Sequence, residues 1–217
     1  LFNTAINGAT GAEVPLGQAN VYVAPSTVNT RYIVHSIQVT NMSVFASNVT
    51  GEFNGTNYSA TSFATTIPLP VGTTIEMLKK PKVLQPTDYI QMASDVANAL
   101  HATIVIETST SPLLFGQGVD VTTASSYTDL YTATANAVVE SVLLVNDDGV
   151  NDVKARVVWT DGSNNIQGYY CYDLIVPADG TVEILEKPKY VPSGYKVRVY
   201  ANMANRLEAM ISGKTVS

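Results

Sequence analysis

The sequence of 217 residues is poor in the residue types that most often carry catalysis or bind metals. It contains one cysteine, Cys171, and two histidines, His35 and His101. A single cysteine excludes an internal disulfide framework and a zinc site built from several thiolates. Because Cys171 lies in a tyrosine-rich segment, we expect a buried and inert thiol there rather than a nucleophile.

Charge is also scarce, since only 14% of the residues are charged and the formal net charge is −6. Nucleic-acid-binding proteins present clustered lysine and arginine, whereas this chain has 12 basic residues in all. Its densest basic segment, Lys79–Lys82, corresponds to Glu186–Lys189 farther along, and we predict that both are solvated turns. No apolar run approaches the roughly 20 residues that span a bilayer. We therefore expect neither a nucleic-acid partner nor a membrane partner.

One long segment occurs twice. Shifted by 107 positions without a gap, Pro70–Ile104 lies over Pro177–Ile211 with 12 identical residues in 35. Several of the mismatches exchange one apolar residue for another, as Ile75 does for Val182. A repeat of this length is typical of domain duplication, because each copy is long enough to bury its own core.

Short segments with a period of two residues fill both copies. In Val153–Trp159, four apolar side chains share one face opposite Lys154 and Arg156, which is typical of a half-buried antiparallel strand. No segment keeps a period of 3.6 residues for three turns. The sequence thus predicts an all-β protein of two similar antiparallel β-sandwiches, jelly-roll-like, that arose by internal duplication.

The predicted boundaries follow from the strand patterns. Residues 1–20 have no periodicity and are expected to form an N-terminal arm that is disordered or reaches a neighbour. The first sandwich is predicted over 21–107, a linker over 108–128 and the second sandwich over 129–217. In the linker, Leu113, Leu114 and Phe115 form an apolar triplet that should pack against a domain or a neighbouring chain.

We find no catalytic motif. A hydrolytic triad needs a base beside a nucleophile, but His35 and His101 align with Glu140 and Glu208 in the other copy, so neither position requires an imidazole. The acidic segment Asn146–Asp152 could hold calcium through oxygen ligands, yet it equally describes a solvated turn and lacks the distal glutamate of an EF-hand. The sequence therefore predicts a protein that is not an enzyme and needs no cofactor.

Tyrosine is concentrated in the second half, where eight of the 12 tyrosines lie from Tyr127 onward. Tyr169, Tyr170 and Tyr172 belong to one predicted strand, so they cannot all face the same core. Tyrosine offers a large contact area and a hydroxyl that can stay hydrated, which favours interfaces. The candidate interface residues are Tyr169, Tyr170, Tyr172, Trp159, Leu113, Leu114 and Phe115, with sheet packing and carbohydrate stacking as alternative roles for the aromatic residues.

Two landmarks recur in both halves: a strand that ends in asparagine (Ile33–Asn41 and Val138–Asn146), and Pro-x-x-x-Thr-Ile/Val-Glu followed by a Lys-Pro break. Together they resemble small β-sandwich domains in virion structural proteins of tailed bacteriophages, over Val21–Ile211. The resemblance implies a non-enzymatic virion protein, foremost a capsid decoration or cement protein that bridges subunits, with a neck or tail-associated protein as an alternative. It implies other virion proteins and further copies of the chain as partners. A glycan- or receptor-binding module is the second alternative.

Overall fold

A computed structural model describes residues 8–111 and 113–216, and their regular secondary structure is entirely β-strand. The chain forms two compact units, Leu1–Pro112 and Leu113–Ser217, called here the first and second domains. The described residues include no helix that is long and apolar enough to cross a membrane. The predicted all-β class and the duplication are confirmed.

The described residues of each domain form nine strands. Those of the first domain are β1 (Gly8–Val14), β2 (Ala19–Val23), β3 (Arg31–Asn41), β4 (Ser47–Asn54), β5 (Thr61–Leu69), β6 (Thr74–Glu76), β7 (Lys82–Leu84), β8 (Tyr89–Ser94) and β9 (Leu100–Ser109). Those of the second domain are β10 (Leu114–Asp120), β11 (Tyr127–Thr132), β12 (Ala137–Asn146), β13 (Val153–Thr160), β14 (Ile166–Val176), β15 (Thr181–Glu183), β16 (Lys189–Val191), β17 (Lys196–Ala201) and β18 (Leu207–Thr215).

The strand order is the same in both domains. Sheet A has the order β1-β9-β3-β6 with β7 also paired to β3, and sheet B has the order β2-β8-β4-β5. Sheet C (β10-β18-β12-β15, with β16 on β12) and sheet D (β11-β17-β13-β14) repeat this arrangement. All pairings between these strands are antiparallel. Counting β6 with β7, and β15 with β16, as interrupted edge strands gives two eight-stranded jelly rolls.

The core of each domain lies between its two sheets. Burial alternates residue by residue along β4, β8 and β17, as the two-residue period of a strand requires. The predicted inward residues Val153, Ala155 and Val157 are fully buried, in a cluster that draws on both sheets of the second domain. The inward face that the sequence pattern indicated is thereby confirmed.

The repeated glutamate has one structural role in both copies. Each carboxylate accepts a hydrogen bond from a serine hydroxyl and one from the next backbone N–H: Ser36 and Ile37 donate to Glu76 at 2.5 and 2.9 Å, and Ser141 and Val142 donate to Glu183 at 2.6 and 2.9 Å. Both glutamates act where the register of β3 on β9, or of β12 on β18, shifts by one residue. Such a bulge interrupts the ladder, so the motif persists because the bulge needs an acceptor.

The asparagine at the end of β3 and β12 is also explained by hydrogen bonding. Asn41 and Asn146 are fully buried. Their side-chain amides donate to carbonyls in loops and at strand ends, at 2.8 Å to Phe45 and 2.9 Å to Leu69 for Asn41, and at 2.8–3.1 Å to Asn151, Val176 and Pro177 for Asn146. Each asparagine therefore joins two loops at the same end of its sandwich.

A second repeated asparagine serves the turn before the last strand. Asn98 and Asn205 have φ angles of 55° and 53°, in the left-handed region that asparagine tolerates better than most residues. The residues from Asp95 to Asn98 form bends and turns that lead into β9. The left-handed turn accounts for the Ala-Asn pair that both copies share.

The domain boundaries differ from those expected. Within the predicted N-terminal arm, Gly8–Val14 is β1 and pairs with β9, while residues 1–7 lie outside the described residues. Within the predicted linker, Leu114–Asp120 is β10 and pairs with β18. Both strands are edge strands that contain glycine and lack a clear apolar alternation, so their pairing partners hold them in the sheet where the sequence pattern gives no signal.

The prediction of two solvated lysine turns holds for Glu186–Lys189, which is exposed, but is wrong for Lys82. Lys82 is only 1% exposed, because it begins β7 and lies opposite Val34 in sheet A. Its counterpart Lys189 begins β16 and is exposed.

Candidate interface on the second domain

The outer face of sheet D collects aromatic and basic side chains. Because alternate residues point outward, Arg156 on β13 lies beside Tyr200 on β17, and Tyr200 lies beside Tyr127 on β11. On the other side of β13, the edge strand β14 contributes Tyr169 and Tyr172, which are 49% and 59% exposed. We call this surface the tyrosine–arginine face; it consists of Tyr127, Arg156, Tyr169, Tyr172, Arg198 and Tyr200.

Arg156 is at the centre of the face. Its guanidinium carbon lies 4.4 Å from the centroid of the Tyr172 ring and 4.8 Å from that of Tyr200. Both distances suit a cation–π contact. Arg156 thereby links the aromatic side chains of the edge strand to those of the inner strands.

The remaining rings extend the cluster in both directions. The Tyr127 and Tyr200 ring centroids are 5.5 Å apart, and those of Tyr169 and Tyr172 are 5.1 Å apart in an edge-to-face arrangement. The Arg198 guanidinium lies 5.8 Å from the Tyr127 ring. Val158, opposite Arg198 on this face, is fully buried, so the surrounding side chains form a closed layer above the strand.

Ion pairs hold the basic side chains in place. Arg156 pairs with Asp173 at 2.5 Å, and this hydrogen bond lowers the pKa of the Asp173 carboxyl and raises the pKa of Arg156. The Asp129 carboxylate accepts hydrogen bonds from Lys196 Nζ at 2.7 Å and from Arg198 Nε at 2.5 Å. Burial works against ionisation of Asp129, but the hydrogen bonds from Lys196 and Arg198 outweigh it and lower the pKa of the carboxyl. In each pair, the opposite charges of donor and acceptor strengthen the hydrogen bond.

Sheet D concentrates positive charge in an acidic chain. Its strands contain four basic residues and two carboxylates: Lys154, Arg156, Lys196 and Arg198, with Asp129 and Asp173. The sheet therefore has a surplus of two positive charges, whereas the whole chain has a net charge of −6. An acidic surface complements this face electrostatically.

The structure separates the aromatic candidates into two groups. Tyr169 and Tyr172 lie on the tyrosine–arginine face, whereas Tyr170 packs against the core and its hydroxyl is buried. Burial raises the pKa of Tyr170 to about 12. Trp159 also points inward, where it stacks on Tyr195 at 5.7 Å and lies directly over Gly168. Tyr170 and Trp159 are therefore not exposed on the outer face of sheet D.

The apolar triplet is only partly shielded from solvent. Leu114 is buried, and the Phe115 ring stacks on Tyr131 at a centroid distance of 4.2 Å and an interplanar angle of 5°. Leu113 precedes β10 and remains half-exposed. The expectation of packing is met for Phe115, which packs against the core of the second domain, and Leu114, the preceding residue of β10, is buried on the opposite face of sheet C.

Four residues of the face did not emerge from the sequence: Tyr127, Arg156, Arg198 and Tyr200. The alternation of Lys154 and Arg156, and of Lys196 and Arg198, already placed the basic residues outward on their strands. The missing information was the strand order, since only the pairing of β13 with β14 and β17 brings these residues together.

The other candidate groups are engaged in structural contacts. His35 lies 2.8 Å from Glu107 across β3 and β9. Cys171 is half-buried, and burial raises the pKa of its thiol to about 11. In the acidic loop, Asp148 accepts hydrogen bonds from Val150 and Asn151. Residues 8–111 and 113–216 contain no group of three or more histidine, cysteine or acidic side chains that could hold a metal ion.

Comparison with protein-family models and with curated proteins gives no match. Among solved structures, the chain is similar to the STIV MCP, at 6% identity and a TM-score of 0.32, over 97% of this chain and 93% of that one. It is also similar to the N-terminal CBM22-1-CBM22-2 tandem domain of Paenibacillus barcinonensis Xyn10C, at 10% identity and a TM-score of 0.22, over 99% and 89%. Both scores are low, so the jelly-roll assignment rests on the strand order alone.

Proposed function

We propose that this protein is a non-enzymatic structural protein of a tailed-phage virion, and that it decorates the capsid by bridging neighbouring subunits. The observation that carries the proposal is the tyrosine–arginine face, an ordered and exposed aromatic surface on one of two similar domains. Jelly rolls recur in viral capsid proteins and in lectins, and the repeated motifs resemble those of phage virion proteins.

The composition of the face favours a protein partner. Tyrosine and arginine are enriched among the residues whose truncation most weakens protein–protein interfaces. The ion pairs of Arg156 and Asp129 fix several of these side chains before any partner arrives. Such preorganisation reduces the conformational entropy that binding must overcome.

The charge of the face indicates the kind of partner surface. A surplus of two positive charges around exposed tyrosine rings fits an acidic patch on the capsid exterior. Because the attraction acts between partly exposed charges, we expect binding to weaken as the salt concentration rises. Many copies on a lattice would multiply a modest contact into stable attachment.

The test is binding of the full chain to purified particles of the virus that carries its gene, measured by co-sedimentation. Arg156→Ala removes the side chain that joins both halves of the face, and Tyr172→Ala removes an exposed ring. Truncation of such a residue typically costs roughly 2 kcal/mol or more, or about 30-fold in affinity. Tyr190→Ala is the matched control, because Tyr190 is similarly exposed but lies on β16 of sheet C.

The outcome can contradict the proposal in two ways. Equal binding of the Arg156→Ala variant and the control would remove the face from the interface. A wild-type chain that binds no viral particle would remove the virion assignment itself. Binding to isolated necks or tails rather than to capsids would select the neck or tail-associated alternative.

A glycan- or receptor-binding module is the second candidate, favoured by the exposure of Tyr169 and Tyr172. However, the Arg156 guanidinium already lies against the rings of Tyr172 and Tyr200, which leaves less aromatic surface for stacking on a sugar. A glycan array probed with the wild type and with Tyr169→Ala distinguishes the candidates. Specific signals that the substitution abolishes would replace the structural proposal.

A further inference from the structure

The first domain exposes apolar side chains at the end of its sandwich where Asn41 joins the loops. Val44 and Phe45, in the loop between β3 and β4, are 79% and 66% exposed. Met42 in the same loop, Leu16 between β1 and β2, and Val71 between β5 and β6 are also more than half-exposed. We call these five residues the apolar loop end.

Backbone hydrogen bonds join the loops that carry these residues. The amide of Met42 donates to Ala99 at 2.8 Å, and that of Gly72 donates to Asn41 at 3.1 Å. The amide of Ser94 donates to Pro15 at 2.8 Å, beside Leu16. All four loops therefore lie at the same end of the domain.

The loop that presents Val44 and Phe45 is held by its own polar groups. The Asn41 side-chain amide donates to the Phe45 carbonyl at 2.8 Å, and the Ser43 hydroxyl donates to the same carbonyl at 2.7 Å. The Ser43 amide donates to the Asn41 side-chain oxygen at 2.9 Å. Because its polar groups bond to one another, the loop displays its apolar side chains without having to order itself on binding.

The same loops in the second domain are acidic. They contain Asp147, Asp148, Asp152 and Asp179 with Arg206, whereas the four loops of the first domain contain one charged residue, Asp95. Both carboxylate oxygens of Asp95 accept hydrogen bonds from Ser47 or Asn48. The two loop ends thus share a scaffold but differ in polarity.

We propose that the apolar loop end is a self-association surface, at which copies of this chain meet through their first domains. Charge makes this end the place where contact between two copies is least opposed. Two copies that each have a net charge of −6 repel one another, and this end brings almost no charge into the contact. An anionic bilayer is a poor occupant because these loops contain no lysine or arginine.

The contact is modest in extent. Five side chains cannot supply the roughly 800 Å² per partner that is usual for a stable two-body interface. Self-association is therefore weak and concentration-dependent in solution, and it gains strength where copies are held side by side. This inference concerns a different surface from the proposed docking face, and it does not depend on particle binding.

The experiment is sedimentation velocity on the full chain over a wide concentration series. The wild type is expected to shift from monomer to oligomer, and the double variant Val44→Ser, Phe45→Ser to require at least about tenfold higher concentration. Val150→Ser is the matched control, since Val150 is 83% exposed at the tip of the equivalent loop in the second domain. The wild-type shift should persist in high salt, because an apolar contact is not screened.

The result is decisive in each direction. A wild type that stays monomeric throughout, or an oligomer that the double variant leaves unchanged, overturns the inference. Dissociation by salt would assign the oligomer to charged groups, and a monomer that co-sediments with phosphatidylcholine vesicles would make a bilayer the occupant. Leu16→Ser, on a separate loop, repeats the test if the double variant fails to fold. None of these outcomes alters the particle-binding test.

Discussion

Sheet B and sheet D hold the same place in two copies of one fold, yet their outer faces differ in chemistry. The strands of sheet B contain one charged residue, Glu52, whereas those of sheet D contain six. In sheet B, the side-chain amide of Gln91 donates to Asn20 at 2.9 Å; the corresponding positions in sheet D hold the ion pair of Arg198 and Asp129. Most inward residues of both sheets are apolar because each core must be filled.

The pairing register identifies the equivalent outward positions at which sheets B and D differ. Thr50 and Ala93 lie opposite one another in sheet B, and the same positions in sheet D hold Arg156 and Tyr200. Two small outward residues thus correspond to the centre of the tyrosine–arginine face. Outward positions are free to diverge after a duplication, so a surface present on one copy alone is a candidate for the function that distinguishes it.

One pair of side chains on neighbouring strands differs in sequence between the domains but is in contact in both. In the first domain, His35 contacts Glu107 at 2.8 Å; in the second, Glu140 contacts Lys214 at 3.4 Å. The acidic residue has moved from the ninth strand to the third. The contact survives because both positions sit beside the conserved bulge, where either order of charge is compatible with the backbone.

The largest effect is predicted for the buried asparagine that both domains share. Asn146→Ala and Asn41→Ala should each destabilise their own domain by about 2–4 kcal/mol, because each removes a fully buried side chain whose amide donates to two or three backbone carbonyls. The single tryptophan, Trp159, reports unfolding of the second domain by fluorescence, and circular dichroism reports both. Losses below about 1 kcal/mol in either variant would contradict the shared role.

A somewhat smaller effect is predicted for a glycine that packs against an aromatic ring across the same hairpin in each domain. The glycine lies on the first strand of the hairpin in the first domain and on the second strand in the second domain. In the first, a Cβ on Gly51 of β4 would lie 2.4 Å from the Phe63 ring; in the second, a Cβ on Gly168 of β14 would lie 2.4 Å from Trp159 Nε1. Gly51→Ala and Gly168→Ala should each cost about 1–3 kcal/mol by overpacking. Gly149→Ala, whose nearest contact would be 3.4 Å, serves as the control in urea unfolding.

The smallest effect concerns acid. The pKa values of Asp129 and Asp173 are lowered in the folded protein, so their stabilising contribution is full above the unfolded value of about 3.9 and is lost as the pH falls through the folded values. The thermal midpoint detected by Trp159 fluorescence should therefore drop below about pH 4. Asp173→Asn, which cannot titrate, should flatten this dependence; an unchanged profile would exclude the ion pair as its source.

Much of the fold could be read from the chain. The alternation in Val153–Trp159 and the repeat from Pro70 onward predicted the strands and the duplication. The edge strands β1 and β10 were missed because glycine and polar residues occupy them, and hydrogen bonds to β9 and β18 decide their place. The buried state of Lys82 was missed for a similar reason, since the Lys-Pro-Lys pattern is identical to that of exposed Lys189.

The sequence by itself determined the two-residue period and the duplicated core, because these depend on near neighbours and on which residues avoid water. The tertiary structure alone decided which strands adjoin, and with them the tyrosine–arginine face. Tyr127 and Tyr200 are far apart in the chain but lie directly opposite one another in sheet D. Contacts between distant segments follow from strand order, which no local pattern encodes.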